Sequence, residues 1–125
     1  MSGSDEDVLR FIAASFPSVW TLELVLTLRQ ERRSWTRDQL VASLRASELV
    51  VSPAIEALVA AGLASIERDG VRYLPASHDI DQCMDRVEQL YRSRANRVRR
   101  TIISASSSSA AAFADAFRLR RETDD

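Results

Sequence analysis

The sequence predicts a mainly α-helical fold carrying one small β-hairpin, on three observations. Apolar residues recur at helical spacing through most of the first hundred positions, and the period switches to two between Leu63 and Leu74. The capping and helix-breaking residues Ser18, Thr36, Ser52-Pro53, Gly62 and Pro75 fall between those runs. A chain of 125 residues that is 46% apolar is long enough for one domain with an appendage and too apolar to be disordered throughout.

Residues 1–7 are small and acidic and read as a frayed start. Val8, Leu9, Phe11, Ile12 and Phe16 then give a short amphipathic helix, which ends by Phe16 because the residue before Pro17 is pushed out of the α region. Ser18 caps the next helix. Its residues Val19, Trp20, Leu22, Leu24, Val25, Leu26 and Leu28 are so densely apolar that it must be covered on most sides and forms the centre of the core, while Arg29, Arg32 and Arg33 suit its negative end.

Ser34 to Thr36 is β-prone and fits a one-bridge strand that pairs with the later hairpin. Thr36 caps a helix from Arg37 to Leu44, with Leu40, Val41 and Leu44 facing inward, and Arg45 to Val51 reads as the turn after it. Ser52 as N-cap and Pro53 at the first helical position open the following helix, which Gly62-Leu63 closes. From Leu63 to Arg68 side chains alternate, Asp69-Gly70 supplies the positive φ of a tight turn, and Val71 to Leu74 returns.

Asp79 to about Ser104 reads as one long helix, roughly 37 Å at 1.5 Å per residue. Ile80, Met84, Val87, Tyr91, Arg94, Val98 and Thr101 follow one stripe along it, which Cys83, Leu90, Ala95 and Ile102 widen, and the first half can pack on its own domain. Its second half, with Arg92, Arg94, Arg97, Arg99 and Arg100, is too charged to be buried alone. Residues 105–112 form a Ser/Ala link, and 113–125 an amphipathic tail in which Phe113 and Phe117 share one face and need a groove, the chain's own or a neighbour's.

Charge divides the chain. Residues 1–85 carry net −5, residues 86–121 net +7 and the last four −3, so attraction to a polyanion belongs to the second segment. The single Cys83 excludes an internal disulfide, and no leader or membrane-length apolar run is present, so a cytoplasmic protein is expected. Enzymatic chemistry is not expected. His78, Asp79, Asp81 and Cys83 crowd one helix start but leave a soft metal short of its usual ligands, the three glycines make no phosphate cradle, and no nucleophile has a base beside it. No metal or cofactor is therefore predicted.

Three stretches, Trp35 to Leu44, Ser52-Pro53 to Gly62-Leu63 and Ile66 to Leu74, together resemble the winged helix-turn-helix superfamily, and its dimeric MarR-like and PadR-like transcription regulators in particular. Leu58-Val-Ala-Ala-Gly-Leu63 is similar to the L-x-x-x-G-L ending of the recognition helix in such regulators. The resemblance covers about residues 18–77. It implies a dimeric transcription regulator in which Arg37, Arg45, Ser52, Arg68 and Arg72 touch DNA. The sequence departs from that pattern in its recognition helix, whose outward positions hold no basic residue, and residues 17–78 balance 7 Arg against 7 acids. An adaptor role stands beside the regulator: the neutral helix, Arg92, Arg97, Arg99, Arg100 and the tail residues Phe113 and Phe117 would then contact another protein or a second copy. A membrane is not an expected partner, since Ile102 and Ile103 are the only strong apolar anchors among the arginines.

Overall fold

Helix α1 (Asp5–Ser15) opens on a reciprocal cap, and it sets where the chain enters its core. The computed structural model describes residues 4–106. Ser4 Oγ accepts the Asp7 amide at 3.4 Å while the Ser4 amide donates to the Asp7 carboxylate at 3.3 Å. The acids at 5–7 thus form the first turn, where the helix dipole favours negative charge, and α1 begins three residues ahead of the expected Val8. Phe16 is extended before Pro17, as the proline requires. Ser18 caps α2 (Val19–Gln30) by accepting the Thr21 amide.

The remaining elements are α3 (Arg37–Leu44), α4 (Glu48–Ala60), β1 (Ala64–Glu67), β2 (Gly70–Tyr73), α5 (His78–Ser93) and a helical stretch over 95–106, here α6. The fold is mainly helical with one two-stranded antiparallel hairpin, in the register Ala64↔Tyr73 to Glu67↔Gly70. α2 lies at its centre: Leu22, Leu24, Val25 and Leu28 are fully buried, and α2 packs on α4, on α3 and on β2. α1 packs on α5. α1 and α2 meet at 104°, and no single helix among the described residues is long and apolar enough to cross a membrane.

Trp35 joins the hairpin as predicted. It exchanges two backbone hydrogen bonds of 2.8 Å with Val71, adding a one-residue third strand beside β2. Its indole N–H donates to the Glu31 carbonyl at 3.0 Å, and the Arg33 guanidinium covers its ring at 3.8 Å. The hairpin loop is Arg68-Asp69, one residue earlier than predicted, and Gly70 starts β2. Gly70 has φ +145°, and a Cβ there would stand 2.3 Å from the Trp35 carbonyl oxygen, so glycine serves the close approach to Trp35 more than the turn itself.

Two further expectations are corrected. α4 starts at Glu48, not Pro53, so the turn is only Arg45 to Ser47, Ser52 lies within the helix and Pro53 interrupts one backbone bond inside it. The reason is the buried stripe, which begins a turn earlier: Val51 is as fully enclosed as Ile55 and Leu58, and helical geometry is what aligns the three. The long C-terminal helix is broken at Arg94 (φ −140°, ψ 55°). Beyond the break α6 buries Val98 and Ile102, both on the expected stripe, in the common core, while Arg99 and Arg100 stay exposed. At its far end the Ser106 hydroxyl donates to the Pro17 carbonyl at 2.6 Å.

Candidate interaction face

α3 is fixed at both ends. The Thr36 hydroxyl accepts the Gln39 amide at 3.1 Å and the Gln39 side chain accepts the Thr36 amide at 3.0 Å. At the other end Arg45 takes the left-handed conformation (φ 53°, ψ 42°). The Arg45 amide then bonds the Ala42 carbonyl and the Ala46 amide the Val41 carbonyl, the pairing that ends a helix sharply. Gly62 (φ 75°) ends α4 the same way, its amide on the Val59 carbonyl and the Leu63 amide on that of Leu58. Both stops depend on positive φ, yet only one uses glycine. Arg45→Gly is therefore expected to stabilise the fold by about 1 kcal/mol, because an L side chain in this conformation costs roughly that much. Chemical denaturation checks it, and the same variant removes one candidate phosphate contact without harming the turn.

The five residues singled out for DNA lie on α3, the turn, α4 and the hairpin, and they do not make one cationic surface. Arg37 lies 3.9 Å from Glu48, and Arg72 Nε lies 3.2 Å from Glu67, whose carboxylate also accepts the Ser34 hydroxyl. Arg45 in the turn and Arg68 at the hairpin tip are exposed and in no ion pair among the described residues. Ser52 is half-buried within α4 and is removed from the helix start where a phosphate would sit. The outward residues of α4 are Glu48, Leu49, Pro53, Glu56, Val59 and Ala60, with Leu49 87% exposed. Ile66 on β1 is 60% exposed beside Arg37 and Arg68 in a shallow cleft between α3, α4 and the hairpin.

Four of the C-terminal arginines divide into two pairs. Arg97 and Arg100 line one cleft with Thr101 and Ser104. Arg92 and Arg99 line another with Tyr91, where Arg92 bonds Glu88 at 3.2 Å and the Arg99 guanidinium lies 5.3 Å from the Tyr91 ring centre. The Tyr91 hydroxyl is enclosed without a hydrogen-bond partner among the described residues; burial, with the Glu23 carboxylate nearby, raises its pKa. Phe113 and Phe117 lie outside the described residues.

The sequence reading missed what orients α5. The Arg29 side chain is 4% exposed and donates to Asp85 at 2.5 Å and Glu88 at 2.8 Å, with Asp81 3.6 Å away. Burial opposes its charge, but these acids and Tyr73 more than offset that, and its pKa is raised. Asp81, Asp85 and Glu88 at steps of four and three form one acidic stripe along α5, and that spacing was the available signal. Asp81 is thereby engaged by the fold and not with His78 or Cys83; no three metal-ligating side chains converge among the described residues.

Tyr73 completes the cluster by donating its hydroxyl to Asp81 at 2.6 Å, with the guanidiniums of Arg29 and Arg32 over its ring at 5.2 and 5.1 Å. Burial and the Asp81 hydrogen bond push the phenol up to about 12, and the Tyr73 bond holds Asp81 below the usual carboxylate range. The folded phenol pKa exceeds the unfolded value of 10.0, so Tyr73's contribution is complete below pH 10 and disappears as pH rises towards 12. We expect on the order of 2 kcal/mol to be lost across that window, read from urea transitions at stepped pH, and Tyr73→Phe to flatten the loss.

No family model, curated protein or solved structure matches this chain.

Proposed function

We propose that the chain is a winged helix-turn-helix domain used as an adaptor, which contacts another protein through the outward face of α4 and the adjoining hairpin. The observation that carries this reading is the chemistry of that helix face. Leu49, Pro53, Glu56, Val59 and Ala60 offer a base edge neither a cation nor an amide, whereas Leu49 is almost wholly in water. The surroundings agree with it. Arg37, Arg45, Arg68 and Arg72 are outnumbered by Asp38, Glu48, Glu56, Glu67 and Asp69, and a phosphate backbone is held by an excess of positive charge. Protein interfaces instead centre on apolar groups with a charged rim.

A second reading, the dimeric DNA-binding regulator, is favoured by Arg45 and Arg68. They stand at the turn and the hairpin tip, with no acidic partner among the described residues, where phosphate contacts would be made.

One experiment separates the two. A photoreactive side chain is placed at Leu49 and, separately, at Arg68, and the adducts formed in cells are identified alongside duplex-DNA anisotropy at low and high salt. The adaptor reading expects a protein adduct at Leu49 and no salt-dependent duplex binding. Nucleic-acid adducts at both positions, with affinity falling as roughly the fourth power of salt concentration for the four phosphate contacts of a dimer, would establish the regulator instead.

A further inference from the structure

Where the described chain ends, it ends in a groove. The C-terminal turn of α1 (Ala13, Ala14), Phe16, the last turns of α4 (Ala57, Ala60) and the end of α6 (Ala105) enclose a space of about 540 Å³. Six of the ten residues lining it, Ala13, Ala14, Ala57, Ala60, Ala61 and Ala105, end in a methyl group, so the groove is wide because its walls are short. Phe16 is itself fully buried beneath. The Ser106 hydroxyl, bonded to the Pro17 carbonyl, pins the end of α6 at the rim. The polypeptide therefore leaves the described region at the mouth of a concave, largely apolar surface.

The sequence that continues from this point is suited to it. Residues 107–125 carry Phe113 and Phe117, four apart, in an otherwise Ser- and Ala-rich approach. A large aromatic side chain complements a floor of alanines, since each Phe has on the order of 150–250 Å² of surface to bury. The distance is short. Six residues separate Ser106 from Phe113, and the seven steps between them reach at most about 25 Å when extended, ample for a groove at its own anchor point. Tethering also supplies an effective concentration on the order of millimolar for a short link, so even a weak contact is occupied within one chain.

We propose that residues 107–125 dock back into this groove of the same chain, placing Phe113 and Phe117 over Ala57 and Ala60 and so covering the C-terminal end of the α4 face. A partner that uses α4 meets a surface whose extent is set by the tail. The docking does not depend on whether α4 contacts protein or DNA.

The test uses the full chain with methyl-labelled alanine, comparing it with Phe113→Ala/Phe117→Ala and with Ala60→Glu. Aromatic rings displace the resonances of methyls they cover. The proposal expects Ala57, Ala61 and Ala105 methyls to move in both variants, in the same direction, while Ala42 on the far-off exposed side of α3 stays in place as the sign of an intact fold. Groove methyls that do not move in the Phe113→Ala/Phe117→Ala chain overturn it. Methyl shifts that appear only as concentration rises, together with a light-scattering mass of two chains, also overturn docking within one chain and assign the groove to a second copy's tail.

Discussion

Asp85→Asn combined with Glu88→Gln is expected to cost about 3 kcal/mol of stability, more than removing Arg29 itself. The two sides of this cluster differ in their access to water. Arg29's side chain is 4% exposed, whereas Asp85 is 61% and Glu88 33% exposed at the side chain. Deleting the arginine leaves carboxylates that can turn to solvent. Deleting both close carboxylates leaves a guanidinium that remains charged at any accessible pH, buried between α2 and α5 with only Asp81 near, and an uncompensated buried charge costs several kcal/mol. Arg29→Met, which keeps the apolar volume, should therefore lose roughly half as much. Urea denaturation of the two variants side by side reads the order directly, and the reverse order would show that the acids and not the arginine are the desolvated partners. The loss should also persist at high salt, because screening reaches exposed pairs far more than enclosed ones.

Gly70→Ala should have a comparable effect by a different route. A Cβ at this position meets the Trp35 carbonyl oxygen at 2.3 Å and its carbon at 2.6 Å, both backbone atoms that no rotamer change can move aside. The backbone also holds φ +145°, which a side chain disfavours. Relief requires separating Trp35 from Val71 and giving up their two 2.8 Å hydrogen bonds, so a cost on the order of 3 kcal/mol is expected. Hydrogen exchange provides the specific readout: the Trp35 and Val71 amides should lose protection, while the Ala64–Tyr73 pairing within the hairpin keeps its own. Arg68→Ala in the same loop touches no such contact and should leave stability nearly unchanged, which separates the loop's chemistry from the hairpin's placement.

Much of the local structure was legible because it is written in short-range chemistry. Ser18 and Thr36 cap where they were expected to, Gly62 takes the positive φ that ends α4, and Val71 pairs with Ile66 across a hairpin announced by the change of period. The interaction face was legible only in part. Its lack of cations could be read directly from α4, but Arg37 and Arg72 being held by Glu48 and Glu67 could not, since those pairs join different elements or opposite strands. The Ser52-Pro53 signal misled for a physical reason: a favourable cap and first-turn proline are worth about 1 kcal/mol, less than enclosing Val51 beside Ile55 and Leu58.

By itself, then, the sequence determined which segments are helical, where most of them stop, that one hairpin follows α4, and that the outer surface of α4 holds no cation and is poor in base-reading groups. Only the tertiary structure decided that α4 begins at Glu48, that the last helix breaks at Arg94 ahead of the buried Val98 and Ile102, and that Arg29 faces three acids of α5. Caps, turns and periodicity act within a few residues of each other and are visible along one chain. Burial is decided between segments far apart in sequence, and where the two conflict the larger free energy of enclosing apolar surface prevails.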